Sequence, residues 1–139
     1  MKKGGSEIDP KNPYMRFEIA FPKAFKIQKL MKVISPPELL KWEKNMKFSN
    51  KQLIGDTQNI FFVHAGSKKN FGIAARDWYD KGIQFVHEGT IYKFVSSIAD
   101  SEAKQPVPDK DTVRATHHFS MIKIHRSPTD GKIHYASIV

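Results

Sequence analysis

The hydrophobic period of this chain changes twice, and those two changes limit its fold more than any other feature. Residues 14–21, "YMRFEIAF", alternate apolar and polar side chains, the pattern of a half-buried strand. From "PKAFKIQKLMKVI" (22–34) the spacing becomes helical, with Ile27, Leu30, Met31 and Ile34 on one face. "SPPELLKWEKNMK" (35–47) continues it: Ser35 and Glu38 have the spacing of a capping box, and Pro36 suits a first helical position. Two helical pieces with a sharp joint at Ser35 are expected, with Trp42 packed where helix meets sheet. After residue 48 the pattern is strand-like: "KQLIGDT", "QNIFFVHAG", "KNFGIAARDWYD" and "GIQFVHEGTIYKFVSSI", with "HEGT" (87–90) as a hairpin turn. A polar loop, "ADSEAKQPVPDKD" (99–111), leads to a strand over 112–126, a turn at "SPTDGK" and a last strand, "IHYASIV". One strand, a helical block and a meander of strands make an α+β fold with an antiparallel sheet.

Composition narrows the class. A chain of 139 residues is one domain by default. Residues 1–13 are rich in Gly, Pro and Lys and are expected to be a flexible lead-in to a domain over 14–139. With no Cys there is neither a disulfide framework nor a Cys-ligated metal, which fits a reducing compartment. No apolar run approaches the ~20 residues that cross a bilayer as a helix. Lys and Arg total 23 against 14 Asp and Glu, a net charge of +9 that favours anionic partners. Arg occurs only at Arg16, Arg76, Arg114 and Arg126, so the surplus is almost all Lys. Lys is a point charge without a planar fork, which weakens any case for base-specific DNA reading.

The segment "FGIAARDWYD" (71–80) carries the strongest local signal. Phe71, Ile73 and Ala75 alternate as in a strand; then Arg76 and Asp77 arrive together, followed by Trp78 and Tyr79. Alternation puts Arg76 and Trp78 on one face and Asp77 and Tyr79 on the other. One of the two charges must therefore face whatever the sheet covers, and unpaired burial is costly. An architectural ion pair and an inward-facing polar group for a ligand are both open at this point.

Trp42-Glu43 after the helical block, Arg76-Asp77-Trp78 in a middle strand and Val113-Arg114-Ala115 after a Pro-containing loop follow one another at intervals that resemble the START (StAR-related lipid-transfer) domains. The resemblance covers roughly residues 14–139. It implies a helix-grip fold, a curved antiparallel sheet wrapped around a helix, with an apolar tunnel for one phospholipid, sphingolipid or sterol. It implies non-catalytic lipid binding and transfer between membranes, with no cofactor, in the cytoplasm with peripheral membrane contact. Under it, Arg76, Trp78, Phe94, Arg114, His118 and Ile122 are cavity candidates. Lys26, Lys29 and Lys32 are candidates for transient contact with an anionic membrane. Members of that family also have strands ahead of "YMRFEIAF" and a long C-terminal helix, so the chain resembles the middle of such a domain. An open cavity face and an unpaired edge on the last strand would then favour self-association.

Other chemistries find less support. His117 and His118, adjacent in the expected strand, would point to opposite faces and could not chelate together, and no HExxH spacing occurs. There is no G-x-S-x-G elbow and no phosphate-binding Gly motif. Two alternatives to lipid transfer stay open. One is an enzyme working in the same cavity, which needs a converging acid–base pair. The other is a basic sheet that binds single-stranded nucleic acid on exposed rings such as Phe61, Phe62, Phe85 and Tyr92.

Overall fold

The structure is a computed structural model that describes residues 2–4, 14–56, 59–99 and 104–139. Apart from residues 2–4, the lead-in expected over residues 1–13 lies outside the described residues, as do residues 100–103 of the polar loop. Strands β1 (Lys2–Gly4) and β2 (Tyr14–Phe21) precede helices α1 (Ile27–Val33) and α2 (Pro36–Trp42). Strands β3 (Met46–Leu53), β4 (Ile60–Ser67), β5 (Ala75–His87), β6 (Thr90–Ser97), β7 (Thr112–Arg114), β8 (Ser120–Arg126) and β9 (Ile133–Ile138) follow. They form one curved sheet in the order β1-β2-β9-β8-β6-β5-β4-β3, with every neighbouring pair antiparallel. The expected α+β class and the helix-grip arrangement of a curved sheet about a helical block are what the chain adopts.

The joint between the helices is where it was expected, but it is built differently. Ser35 is the N-cap of α2 with Pro36 following, yet its hydroxyl does not cap that helix. Ser35 Oγ instead donates to the Lys32 carbonyl at 2.6 Å, adding to the bond that the Ser35 backbone N–H makes there at 3.1 Å, so both fix the end of α1. Glu38 pairs with Lys41 at 2.7 Å rather than reaching back. Trp42 is not packed between helix and sheet. It is 50% exposed, and its indole N–H donates to the Val33 carbonyl at 2.9 Å, tying the ends of the two helices together.

Four strand boundaries differ from the expectation, each for a tertiary reason. β3 begins at Met46, inside the apparent helical run, because Met46 and Phe48 pair with β4. Phe71 does not alternate into the sheet: Phe71 and Gly72 have φ of 44° and 79° and form the tip of a turn closed by Asn70 and Ile73. β5 then runs unbroken for 13 residues through Gly82. That glycine is a packing position, since a Cβ there would stand 2.5 Å from the Phe61 ring. The stretch 112–126 splits in two: β6 ends opposite Asp80, and β7 takes up the vacated edge of β5 in parallel, pairing Asp77 with Arg114. To reach β8 on the far side of β6, the chain must leave the sheet over 115–119. The hairpin at residues 87–90 forms as expected, with Glu88 and Gly89 both left-handed (φ 48° and 71°), the geometry of a two-residue type I′ loop.

The core sits at one end of the sheet. Leu30, Ile124 and Ile133 are buried together where α1 meets β8 and β9, with Phe21, Phe25, Ile27, Met31 and Ile34 packed on them. All four residues of the expected apolar face of α1 belong to this cluster. β9 is paired on both sides, by β2 and β8, so the expected unpaired edge on the last strand is absent; the sheet path ends instead at β1 and β3.

Alternation along β5 sends Asp77 to the outer face, away from the helices. It is 2% exposed. Arg114 grips it in bidentate fashion, Nε to Oδ1 at 2.8 Å and Nη2 to Oδ2 at 2.9 Å, and His64 Nε2 lies 3.0 Å from Oδ2. Burial raises the carboxyl's pKa, but the hydrogen bonds from Arg114 and His64 more than offset it and hold the group below the usual carboxylate range. Arg114 also donates to the Gln105 side chain and, at 2.6 Å, to the Pro106 carbonyl, so the same guanidinium fastens the 104–111 loop to the sheet. The Arg-Asp step and the Val-Arg-Ala step are thus two halves of one clamp. Removing the guanidinium strands a buried carboxylate, and Arg114→Leu is expected to lower unfolding stability by about 3 kcal/mol or more in urea denaturation. A loss below about 1 kcal/mol would show that the clamp is not structural.

Candidate functional site

Two helices of seven residues each cannot cover the inner face of this sheet, and a cavity of about 1390 Å³ remains between them. Its walls follow from strand alternation. Ser49 and Lys51 of β3, Val63 and Ala65 of β4, Trp78, Asp80 and Gln84 of β5, Lys93 and Val95 of β6 and Ile122 of β8 all turn inward. Met31, Ile34 and Leu39 supply the helical wall, and residues 116–120 close one side. Most of this lining is apolar, and its polar groups converge in two places.

The first is Asp80, which is 1% exposed. Its carboxylate accepts from Ser97 Oγ at 2.8 Å and faces His117 Nδ1 at 2.6 Å. The backbone N–H of His117 donates to the same Ser97 hydroxyl at 2.8 Å, so the serine is engaged from both sides. The hydrogen bond to Asp80 raises the His117 pKa above its ordinary 6.5, against an opposing effect of burial. The second place is the Phe61 ring, fully buried beneath two lysines. Lys51 Nζ lies 4.2 Å and Lys93 Nζ 5.5 Å from its centroid, within cation–π range. Gly82 makes this possible: lacking a side chain, it lets the ring lie flat against β5.

The residues expected in the cavity divide. Trp78, His118 and Ile122 line it. Arg76 has the parity of Trp78 but is exposed at the start of β5 and is not part of the lining. Arg114 is on the outer face in the clamp. Phe94 also turns outward, where it stacks on Phe85 at 6.0 Å. His117 and His118 both line the cavity, because the chain there is not a strand and alternation does not apply. Lys26, Lys29 and Lys32 are exposed on and beside α1. Asp80, Lys51, Lys93 and Gln84 were not singled out by the sequence, and His117 was weighed there only as a metal ligand. A signal existed for Lys93, which shares the alternation of Ile91 and Val95 in β6; Lys51 had none. No group of three or more potential metal ligands occurs among the described residues, and no helix among them is long and apolar enough to cross a membrane.

No protein-family model matches the chain, and no curated protein matches it. Solved structures do. Over 95% of its length the chain superposes on human STARD10 with a TM-score of 0.77 at 15% identity, covering 52% of that structure. On human StAR-related lipid transfer protein 5 the TM-score is 0.77 at 16% identity, over 98% of this chain and 64% of the other. The StAR-related lipid transfer protein of Xanthomonas axonopodis (fragment 25–204) gives 0.66 at 13% identity, over 91% and 68%. The likeness is one of fold, and the chain spans between half and two thirds of the length of the first two.

The Asp80–His117 pair makes a pH prediction. A histidine whose pKa is raised on folding adds stability that is fully present below its unfolded value and is lost as pH rises through the folded one. The His117 ring resonances should titrate with a midpoint above 6.5, and Asp80→Asn should return that midpoint toward 6.5. An unchanged midpoint in Asp80→Asn would mean that the carboxylate does not hold the imidazolium.

Proposed function

We propose that this chain is the lipid-holding part of a START-type module, which binds a lipid without chemically altering it and carries it between membranes. The observation behind this is the large, mostly apolar cavity on the inner face of a helix-grip sheet. Its volume of about 1390 Å³ exceeds that of common small-molecule sites, roughly 300–1,000 Å³, and suits acyl chains or a sterol body. Transfer then needs no reaction. Burying the lipid body gains roughly 25 cal/mol per Å² of apolar area, and the few inward polar groups select the head. Trp78, His118 and Ile122 contact the ligand in this reading.

Membrane contact is transient and falls to two places. Lys26, Lys29 and Lys32 present charge on α1. At the turn after β4, Phe71 is 97% and Ile73 56% exposed beside Lys68 and Lys69, an apolar tip with a basic collar. Anionic headgroups attract such lysines by about 1 kcal/mol each. The absence of Cys suits work in the cytoplasm. The enzyme reading would use Asp80 and His117 as its acid–base pair, but the neighbouring Ser97 hydroxyl is spent on bracing that pair rather than aimed at a substrate. The nucleic-acid reading asks for open rings. Phe61 is buried, while Phe62–Tyr79 and Phe85–Tyr92 on the outer face stack on each other at 5.4 and 5.5 Å.

Mass spectrometry of the natively purified chain should find a co-purifying lipid in stoichiometric amount. A chain that stays empty after incubation with mixed-lipid vesicles would overturn the reading. Sedimentation with anionic vesicles should weaken steeply with salt, since charges are screened beyond about 10 Å at 0.1 M. Phe71→Asp should weaken it further, and equal binding to neutral vesicles would remove the lysines from the account.

A further inference from the structure

The two inward lysines are an unusual use of a lipid cavity. Lys51 reaches in from β3 and Lys93 from β6, and both ammonium groups gather around one Phe61 ring, beside the apolar side chains of Val63, Ala65 and Val95. Among the described residues neither lysine forms an ion pair with a carboxylate. Asp80, the acid that shares the cavity, is already held by His117 and Ser97. Among these residues the two ammonium groups therefore have no carboxylate paired to them. Burial, and after it the charge of Lys51, lower the pKa of Lys93, while Asp80 acts weakly the other way; burial also lowers that of Lys51. Two like charges held close against an apolar wall are costly unless an anion joins them.

We propose that Lys51 and Lys93 are an anion seat, and that the cavity takes a lipid whose phosphate head carries net negative charge and lies between their ammonium groups. This rests on the lipid-binding reading above. The chemistry of the seat suits phosphate: lysine acts as a mobile point charge with three donors, and two of them from different strands can share the oxygens of one head. Gln84, directly opposite Lys93 in the β5–β6 register and also lining the cavity, adds an amide donor. The Phe61 ring, in cation–π range of both ammonium groups, gathers them at one place on the cavity wall. The acyl chains then extend along the wall formed by Met31, Ile34 and Leu39.

The test uses the whole 139-residue chain with two fluorescent-acyl probes that share the same chains, phosphatidic acid and diacylglycerol. The intact protein should bind the phosphatidic acid probe about tenfold or more tightly, the scale of a charge-assisted contact. Lys93→Met keeps an apolar stem over Phe61 and should erase that preference, bringing the two affinities to within about twofold of each other. Lys51→Met, at a more exposed position, should lower the ratio of phosphatidic acid to diacylglycerol affinity and reads the seat independently if Lys93→Met folds poorly. Lys81→Met, on the outer face of β5, should change neither affinity. Equal affinity for the two probes in the intact protein would overturn the anion seat while leaving lipid binding intact. Failure to bind either probe would instead sink the lipid reading itself. Inorganic phosphate should not displace the lipid probe; displacement by phosphate alone at comparable concentration would mark a free-phosphate site and overturn the assignment to a lipid head.

Discussion

A sheet too wide for its helices governs this structure. Eight strands side by side span roughly 33 Å at ordinary strand spacing, while a helix of seven residues is roughly 10 Å long. α1 fills the end where β8 and β9 meet it, and there Leu30, Ile124 and Ile133 make a compact cluster. α2 covers part of β3. Over much of the remaining inner face the helices do not reach, and side chains there line a hollow, with Phe61 and Ala65 buried at its floor. The cavity is thus a direct result of a mismatch in size between the two layers.

A sheet that carries a hollow needs other sources of rigidity, and they lie on its outer face and along its edges. The Asp77–Arg114 clamp with His64 fixes β7 and the 104–111 loop to β5 at the point where β6 has ended. Aromatic pairs across neighbouring strands, Phe62 with Tyr79 and Phe85 with Tyr92, stiffen the same face. Three residues beyond Asp77 the opposite parity places Asp80 in the cavity, where it holds His117 and Ser97 and so shapes the 115–119 wall. One strand therefore carries two buried acids with separate duties, one architectural and one lining the site. Strand alternation alone separates them.

The cavity's polar content follows from the same geometry. The lysines at inward positions of β3 and β6 lie on the cavity side of the sheet, Lys93 half-buried and Lys51 exposed. The buried Phe61 ring, lying flat over Gly82, gives both a surface to rest on. A methyl group at residue 82 would push that ring aside and disturb the placement of both cations. The placement of both lysines thus depends on a glycine that does not itself line the cavity.

Local pattern was enough for the fold class, the two helices with their joint at Ser35, the inward face of α1, the tight turn at Glu88-Gly89, and the separation of Arg76 and Trp78 from Asp77 and Tyr79. Each of these depends on neighbours a few residues apart, where period and turn chemistry act directly. Three of the six cavity candidates, Trp78, His118 and Ile122, line the hollow. Arg76, Arg114 and Phe94 do not, because the face a side chain takes is local while the partner waiting on that face is not. Arg114 meets Asp77 only because a strand from 37 residues further on pairs in parallel with β5. The same holds for two further pairs, Asp80 with His117 and Lys51 with Lys93, whose members come from segments far apart in the chain. Sequence determined which way each strand's residues point; only the pairing order of the strands, set by long-range contacts, decided which charges meet and which are left to face the cavity.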